Sequence, residues 1–181
     1  MQTKQFNEEV YYVEDSIIKV SGSDIALLKK QALITQRKRI RLCTHKSIDD
    51  EIHEMLIVHV RDTYIRPHKH LSKPESFHVI EGRADVIIFD DNGNLIEVIQ
   101  MGEYASGLPF YYRLPEPLFH TLLIQSDILV FHEITKGPFK RSDTIIAPWA
   151  PDDNNEPDYK AFLNTLKKKI KESAFDVTLP A

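Results

Sequence analysis

The chain has 181 residues, 42% hydrophobic and 28% charged, with a formal net charge of −4. One domain with a sizeable core suits that length, and the mild acidity excludes the broadly basic footprint of a general nucleic-acid binder. Cys43 is the single cysteine, so the chain can close no disulfide on itself, and no apolar run approaches a membrane span or a signal core. The expectation is a cytoplasmic protein that contacts neither membrane nor nucleic acid.

In chain order, Val10–Val13 and Ile17–Val20 are strand-like pieces, broken by Ser21-Gly22. Ser23 suits an N-cap with Asp24 in the first turn, and Ile25, Leu28 and Ala32 recur at helical spacing, which predicts a helix over 24–33. From residue 37 the period changes to two, with Arg37, Arg39 and Arg41 alternating with Lys38, Ile40 and Leu42. Strands are then predicted at Met55–Val60, Thr63–His70, Phe77–Glu81, Ala84–Phe89, Leu95–Gln100, Tyr111–Leu114, Phe119–Gln125 and Ile128–Ile134. Asn92-Gly93 supplies the positive-φ turn of a hairpin between Ala84–Phe89 and Leu95–Gln100. Short strands at this regular spacing indicate an all-β barrel or sandwich.

Ala147-Pro148-Trp149-Ala150-Pro151 reads as an extended tail, and a polar linker follows. Residues 158–173 form an amphipathic pattern with Phe162, Leu163, Leu166 and Ile170 on one side and Lys167, Lys168 and Lys169 as the simplest solvated face. The apolar side could cover the barrel or a partner chain. The expected organisation is an N-terminal extension over 1–36, a β-barrel over 37–151, and a linker with helix over 152–181.

The chemistry concentrates in residues 68–120. His68 and His70 are two apart and so share one face of a strand. Glu75 follows a turn carrying Pro74, Gly82 lies further on, and His120 sits on a later strand. Three imidazoles and a carboxylate suit Fe, Mn, Ni, Co, Cu or Zn as one divalent transition metal. The alternative is a scatter of surface histidines, since the chain holds eight.

His68-Lys69-His70, Glu75 and Gly82 resemble the first motif of the cupin superfamily, and Pro115-Glu116-Pro117-Leu118-Phe119-His120 resembles the second. Asp62 and Pro117 stand where that pattern has glycines, and Ile124 where it often has asparagine. Arg39–His45, Tyr64–His68, Glu75–Gly82, Phe131-His132-Glu133, Gly137-Pro138-Phe139 and Ala147–Pro151 resemble the WbuC family, over roughly residues 23–151. That resemblance implies an all-β fold, a single cupin-type antiparallel β-barrel (jelly roll) with an N-terminal helix and a C-terminal amphipathic helix. It also implies a metal held by His68, His70, Glu75 and His120, a homodimer, and a setting in O-antigen or other surface-polysaccharide biosynthesis.

Around that site, Arg66 shares its strand side with the histidines and needs an anion, either a substrate group or a protein acid such as Glu81. The Arg37/Arg39/Arg41 stripe is either a solvated face or a trap for a phosphate-bearing sugar nucleotide. Tyr111 or Tyr112 could donate a proton, though barrel packing explains both; Tyr111 is the candidate carried forward, with Arg66. Pleat geometry turns His78 away from the metal and lets at most one of His132 and Glu133 enter the barrel. The expected ligand is a small, anionic molecule. A Lewis-acid isomerase or epimerase, an Fe(II)/Mn(II) dioxygenase and a non-catalytic metal-anchored binding module all remain open.

Overall fold

The computed structural model describes residues 1–176, so the end of the C-terminal segment (177–181) lies outside the described residues. The elements in order are β1 (Thr3–Asn7), β2 (Val10–Val13), α1 (Gly22–Ile34), β3 (Arg39–Cys43), β4 (Ile52–Val60) and β5 (His68–His70). Next come β6 (Glu75–Glu81), β7 (Arg83–Phe89), β8 (Leu95–Gly102), β9 (Tyr111–Leu114), β10 (Phe119–Ile124), β11 (Ile128–Lys136), β12 (Thr144–Ile146) and α2 (Glu156–Asp176). A first sheet has the order β1-β2-β3-β4-β11-β6-β9 and a second β12-β5-β10-β7-β8. The strand pairs are antiparallel apart from β2 with β3. The result is a two-sheet β-barrel of jelly-roll class, all-β with a helix near each end.

Period-two alternation builds three apolar layers. Cys43, Met55, Phe77 and Phe131 of the first sheet meet Val86, Ile88, Leu122 and Ile124 of the second inside the barrel. The outer face of the first sheet, with Ile40, Leu42 and Val58, is covered by Leu28 and Ala32 of α1. The outer face of the second, with Ile87, Phe89, Phe119 and Leu123, is covered by Leu163 and Leu166 of α2 and by Trp149. Each of those two leucines is about 95% buried (5% and 4% exposed), worth ~1.5–3 kcal/mol apiece. The apolar side of α2 therefore packs on its own barrel.

Several expectations need correction. Ile17–Val20 is irregular, with Ile18 and Val20 tucked against the α1 layer. The strand predicted over 63–70 is reduced to β5, because Pro67 offers no N–H to a ladder. Ser21, not Ser23, caps α1, with the Asp24 carboxylate accepting from its N–H at 2.8 Å and its hydroxyl at 2.6 Å. Of the three lysines given to solvent, Lys167 is half-buried and paired with Asp62 at 2.9 Å.

Turn chemistry accommodates the two departures from the motif glycines. Asp62 adopts φ +64, a left-handed conformation that aspartate tolerates. Leu118 N–H donates to Glu116 O at 2.8 Å, a three-residue turn centred on Pro117. Gly82 has φ +89, and a Cβ there would lie 2.3 Å from Ile128 O, so the β6–β7 corner admits no side chain.

Candidate metal centre

β5 and β10 are neighbours, and His68 lies directly opposite His120 in their register. His120 shares the inward face of β10 with Leu122 and Ile124. The ring centroids of His68 lie 4.9 Å from His70 and 4.6 Å from His120. One ligand atom from each of the three rings falls within 4.8 Å of the others, and this is the group among the described residues that can hold a metal ion. Glu75, at the start of β6 in the other sheet, closes the group: its carboxylate lies 3.2 Å from His70 Nε2 and 3.6 Å from His120 Nε2.

The far ring nitrogens determine what the near ones can do. His68 Nδ1 lies 2.9 Å from Arg66 O and His120 Nδ1 lies 3.0 Å from Leu118 O. A carbonyl only accepts, so both Nδ1 atoms carry the hydrogen, and in the neutral rings both Nε2 atoms present lone pairs. His70 Nδ1 lies 3.1 Å from Thr144 Oγ1 on β12. Burial, with His120 and His70 beside it, pushes His68 down to about 3, so its ring is neutral near neutral pH. Burial alone would raise the Glu75 carboxyl, but His120, His70 and His68 hold it below the ordinary carboxylate range. A lone pair on His120 Nε2 facing a buried carboxylate is repulsive unless a proton or a metal cation lies between them. The donor set therefore fits a metal, with oxygen partners behind the rings as metal-bound histidines usually have.

Two further groups reach this cluster. Tyr112, on the inward face of β9, donates its hydroxyl to Glu75 Oε1 at 3.3 Å. Burial and the Glu75 charge raise its phenol well above the ordinary value, so it stays protonated. Glu133 shares the inward face of β11 with Phe131 and lies opposite Phe77 and Met55. Burial and the Glu75 charge push its carboxyl up. Alternation from Phe131 was the signal for Glu133, and the same alternation left Tyr111 and Tyr112 undecided.

The other candidate residues are placed elsewhere. The tyrosine at the cluster is Tyr112: Tyr111 is half-exposed on the opposite face and donates to Ser76 Oγ at 3.2 Å. Arg66 donates to Asp152 Oδ2 at 2.8 Å and to Ala150 O at 3.2 Å, so the anion it meets is a protein acid in the tail after the barrel. Glu81 is instead paired with Lys29 of α1. The basic stripe is largely neutralised internally, because Glu9 accepts from Arg37 at 2.6 Å and from Arg39 at 3.0 Å. His78 is exposed and faces His132 across the β6–β11 pair, outside the barrel.

A family described as a domain of unknown function (DUF6016) matches residues 20–101, short of half the chain. That span contains His68, His70 and Glu75 but not His120. No curated protein matches. Similar solved structures include a protein from Shewanella oneidensis, at 10% identity and TM-score 0.49, covering 59% of this chain and 72% of the other. The capsular polysaccharide assembling protein CapF from Staphylococcus aureus is similar at 19% identity and TM-score 0.45, covering 54% and 27%. The Lactobacillus farciminis oxalate decarboxylase is similar at 17% identity and TM-score 0.43, also covering 54% and 27%. The chain thus spans under a third of the length of the latter two. Among the described residues no helix is long and apolar enough to cross a membrane.

Proposed function

We propose that His68, His70, His120 and Glu75 hold one divalent transition metal and that the chain acts on a small anionic metabolite, a sugar nucleotide of surface-polysaccharide synthesis, as an isomerase- or epimerase-type enzyme. The observation that carries the metal is the convergence of imidazole Nε2 atoms on a buried carboxylate, with His68 and His120 fixed through Nδ1 to carbonyl oxygens. When bound, the metal supplies Lewis acidity toward substrate oxygens. The chain's own residues supply the rest. Thr144 orients His70 from behind, and Tyr112 holds its proton at Oη against Glu75. Glu133, a carboxyl whose burial favours the protonated form, is the group that exchanges a proton inside the barrel. Tyr111 and Arg66 have no part in this reading, since the Tyr111 hydroxyl is taken up by Ser76 and the two terminal nitrogens of Arg66 by Asp152 and Ala150 O.

The test is the full chain purified without chelator. About one equivalent of metal per chain is expected, falling sharply in His70→Ala and Glu75→Gln. Incubation of the loaded protein with nucleotide-activated sugars in deuterated water is expected to place deuterium on the sugar, and Glu133→Gln is expected to abolish it. Oxygen consumption instead of exchange would replace the proposal by a dioxygenase, and tight sugar-nucleotide binding without turnover by a binding module.

A further inference from the structure

Outside the barrel, on the face of the second sheet opposite the histidines, lies a groove of about 520 Å³ between α2 and the ends of β7, β8 and β10. Leu123 of the lining is three residues along β10 from His120, and Arg83 is five residues along β7 from Ile88, the residue paired with His120, so ~10–17 Å of strand separates groove and metal cluster at ~3.3 Å per residue. The volume falls within the ~300–1,000 Å³ range of small-molecule sites.

The lining has two parts. Leu108, Leu123 and Ile170 give it an apolar floor, and Arg61, Arg83, Lys167 and Lys171 surround it. Lys167, Ile170 and Lys171 stand at i, i+3 and i+4, so one strip of α2 delivers both charge and apolar surface. Four cations gather here in a chain whose net charge is −4. Arg61 is held by Asp127 at 3.0 Å and Lys167 by Asp62 at 2.9 Å. Arg83 and Lys171 have no acidic partner among the described residues. Asp85 is the single acid in the lining, and its carboxylate already accepts from Gln125 Nε2 at 2.6 Å. Burial also pushes the Asp85 carboxyl up, against the Gln125 hydrogen bond that lowers it.

We propose that this groove is a second ligand site, binding a phosphorylated small molecule with its phosphoryl oxygens between Arg83 and Lys171 and its organic part on Leu108, Leu123 and Ile170. A dianionic group matches two unpaired cations from opposite walls. The apolar floor selects an ester over the bare anion, because inorganic phosphate leaves that floor wet. The groove lies under a helix and is sized for one small molecule, which disfavours a flat lipid surface as occupant.

The experiment titrates the full chain, freed of metal with chelator, with a fluorescent N-methylanthraniloyl ADP and separately with pyrophosphate. Saturable binding is expected, weakening as salt rises, with pyrophosphate binding at least about tenfold more weakly than the nucleotide. The Arg83→Ala/Lys171→Ala double variant is expected to lose about tenfold or more in affinity, and Arg83→Lys to keep most of it. Both positions are exposed, so the variants fold, which a thermal melt checks. His70→Ala, which disables the metal cluster, is expected to bind the nucleotide as the parent does. The proposal is overturned by absence of saturable binding, by undiminished affinity in the double variant, by equal loss in His70→Ala, or by capture on acidic phospholipid vesicles with no binding of either soluble probe.

Discussion

His59 provides the most quantitative test of the packing. It sits on the inward face of β4 against the Phe131 ring, with centroids 5.3 Å apart, and is 6% exposed. Its Nδ1 is buried with no hydrogen-bond partner. Burial first, and then the charges of Arg39 and Arg41, lower its pKa from an ordinary 6.5 to about 3. In the unfolded chain the ring takes a proton below about 6.5, whereas in the folded chain it cannot until the pH nears 3. Unfolding is therefore linked to proton uptake throughout that window, and stability falls as the pH drops through it. For one such group the linkage costs about 0.2 kcal/mol at pH 7 and ~2 kcal/mol at pH 5. His59→Leu removes the group and its unpaired nitrogen, at the cost of the ring contact with Phe131. Urea unfolding of parent and variant at both pH values is the assay, because every other titration is common to the two and cancels in the difference. The variant is expected to gain ~2 kcal/mol relative to the parent between pH 7 and pH 5. Parallel pH curves, with a change under about 0.5 kcal/mol, would show that the ring protonates freely in the folded barrel and refute the burial argument.

Other outcomes follow from the same geometry. Gly82→Ala is expected to lose more than about 3 kcal/mol, or to leave no folded protein, since its Cβ meets Ile128 O at 2.3 Å at φ +89; a loss below about 1 kcal/mol in denaturant unfolding would contradict the corner described. Leu166→Ala is expected to cost ~2–5 kcal/mol by opening a cavity beneath α2, measured by thermal or urea unfolding. Tyr112→Phe and Thr144→Val are each expected to weaken metal binding about 10- to 100-fold while leaving the circular dichroism spectrum unchanged, and Tyr111→Phe, on the opposite face, is expected to leave it untouched. Titration with Co(II) followed by its visible bands reads all three.

Local pattern was sufficient for most of the architecture. Alternation at 84–89 and 95–100 around Asn92-Gly93 is repeated in β7 and β8, with φ +84 at Gly93. The helix spacing of Leu28 and Ala32 matches α1, and that of Leu163 and Leu166 matches α2. These features depend on neighbours three or four residues away, so a window of sequence contains them. Ile17–Val20 and residues 63–67 failed because apolar and β-branched content does not ensure a partner strand. One is irregular but packed on its outer layer, and the other is interrupted by Pro67.

Within the site, pleat parity alone told that His68 and His70 share a face, and the spacing to Glu75 suggested a return strand. Which side chains meet them depended on contacts across long sequence separations. His120 reaches His68 through the β5–β10 register, Thr144 reaches His70 through β12, and Tyr112 rather than Tyr111 faces Glu75. The fate of each arginine was likewise settled by acids far along the chain, Asp152 for Arg66 and Glu9 for Arg37 and Arg39. Period and turn residues are properties of a segment, so the chain alone specified strands, helices and the ligand-rich stretch. Register between sheets and the pairing of charges are properties of closure, which buries one face of every strand against residues the local pattern never sees.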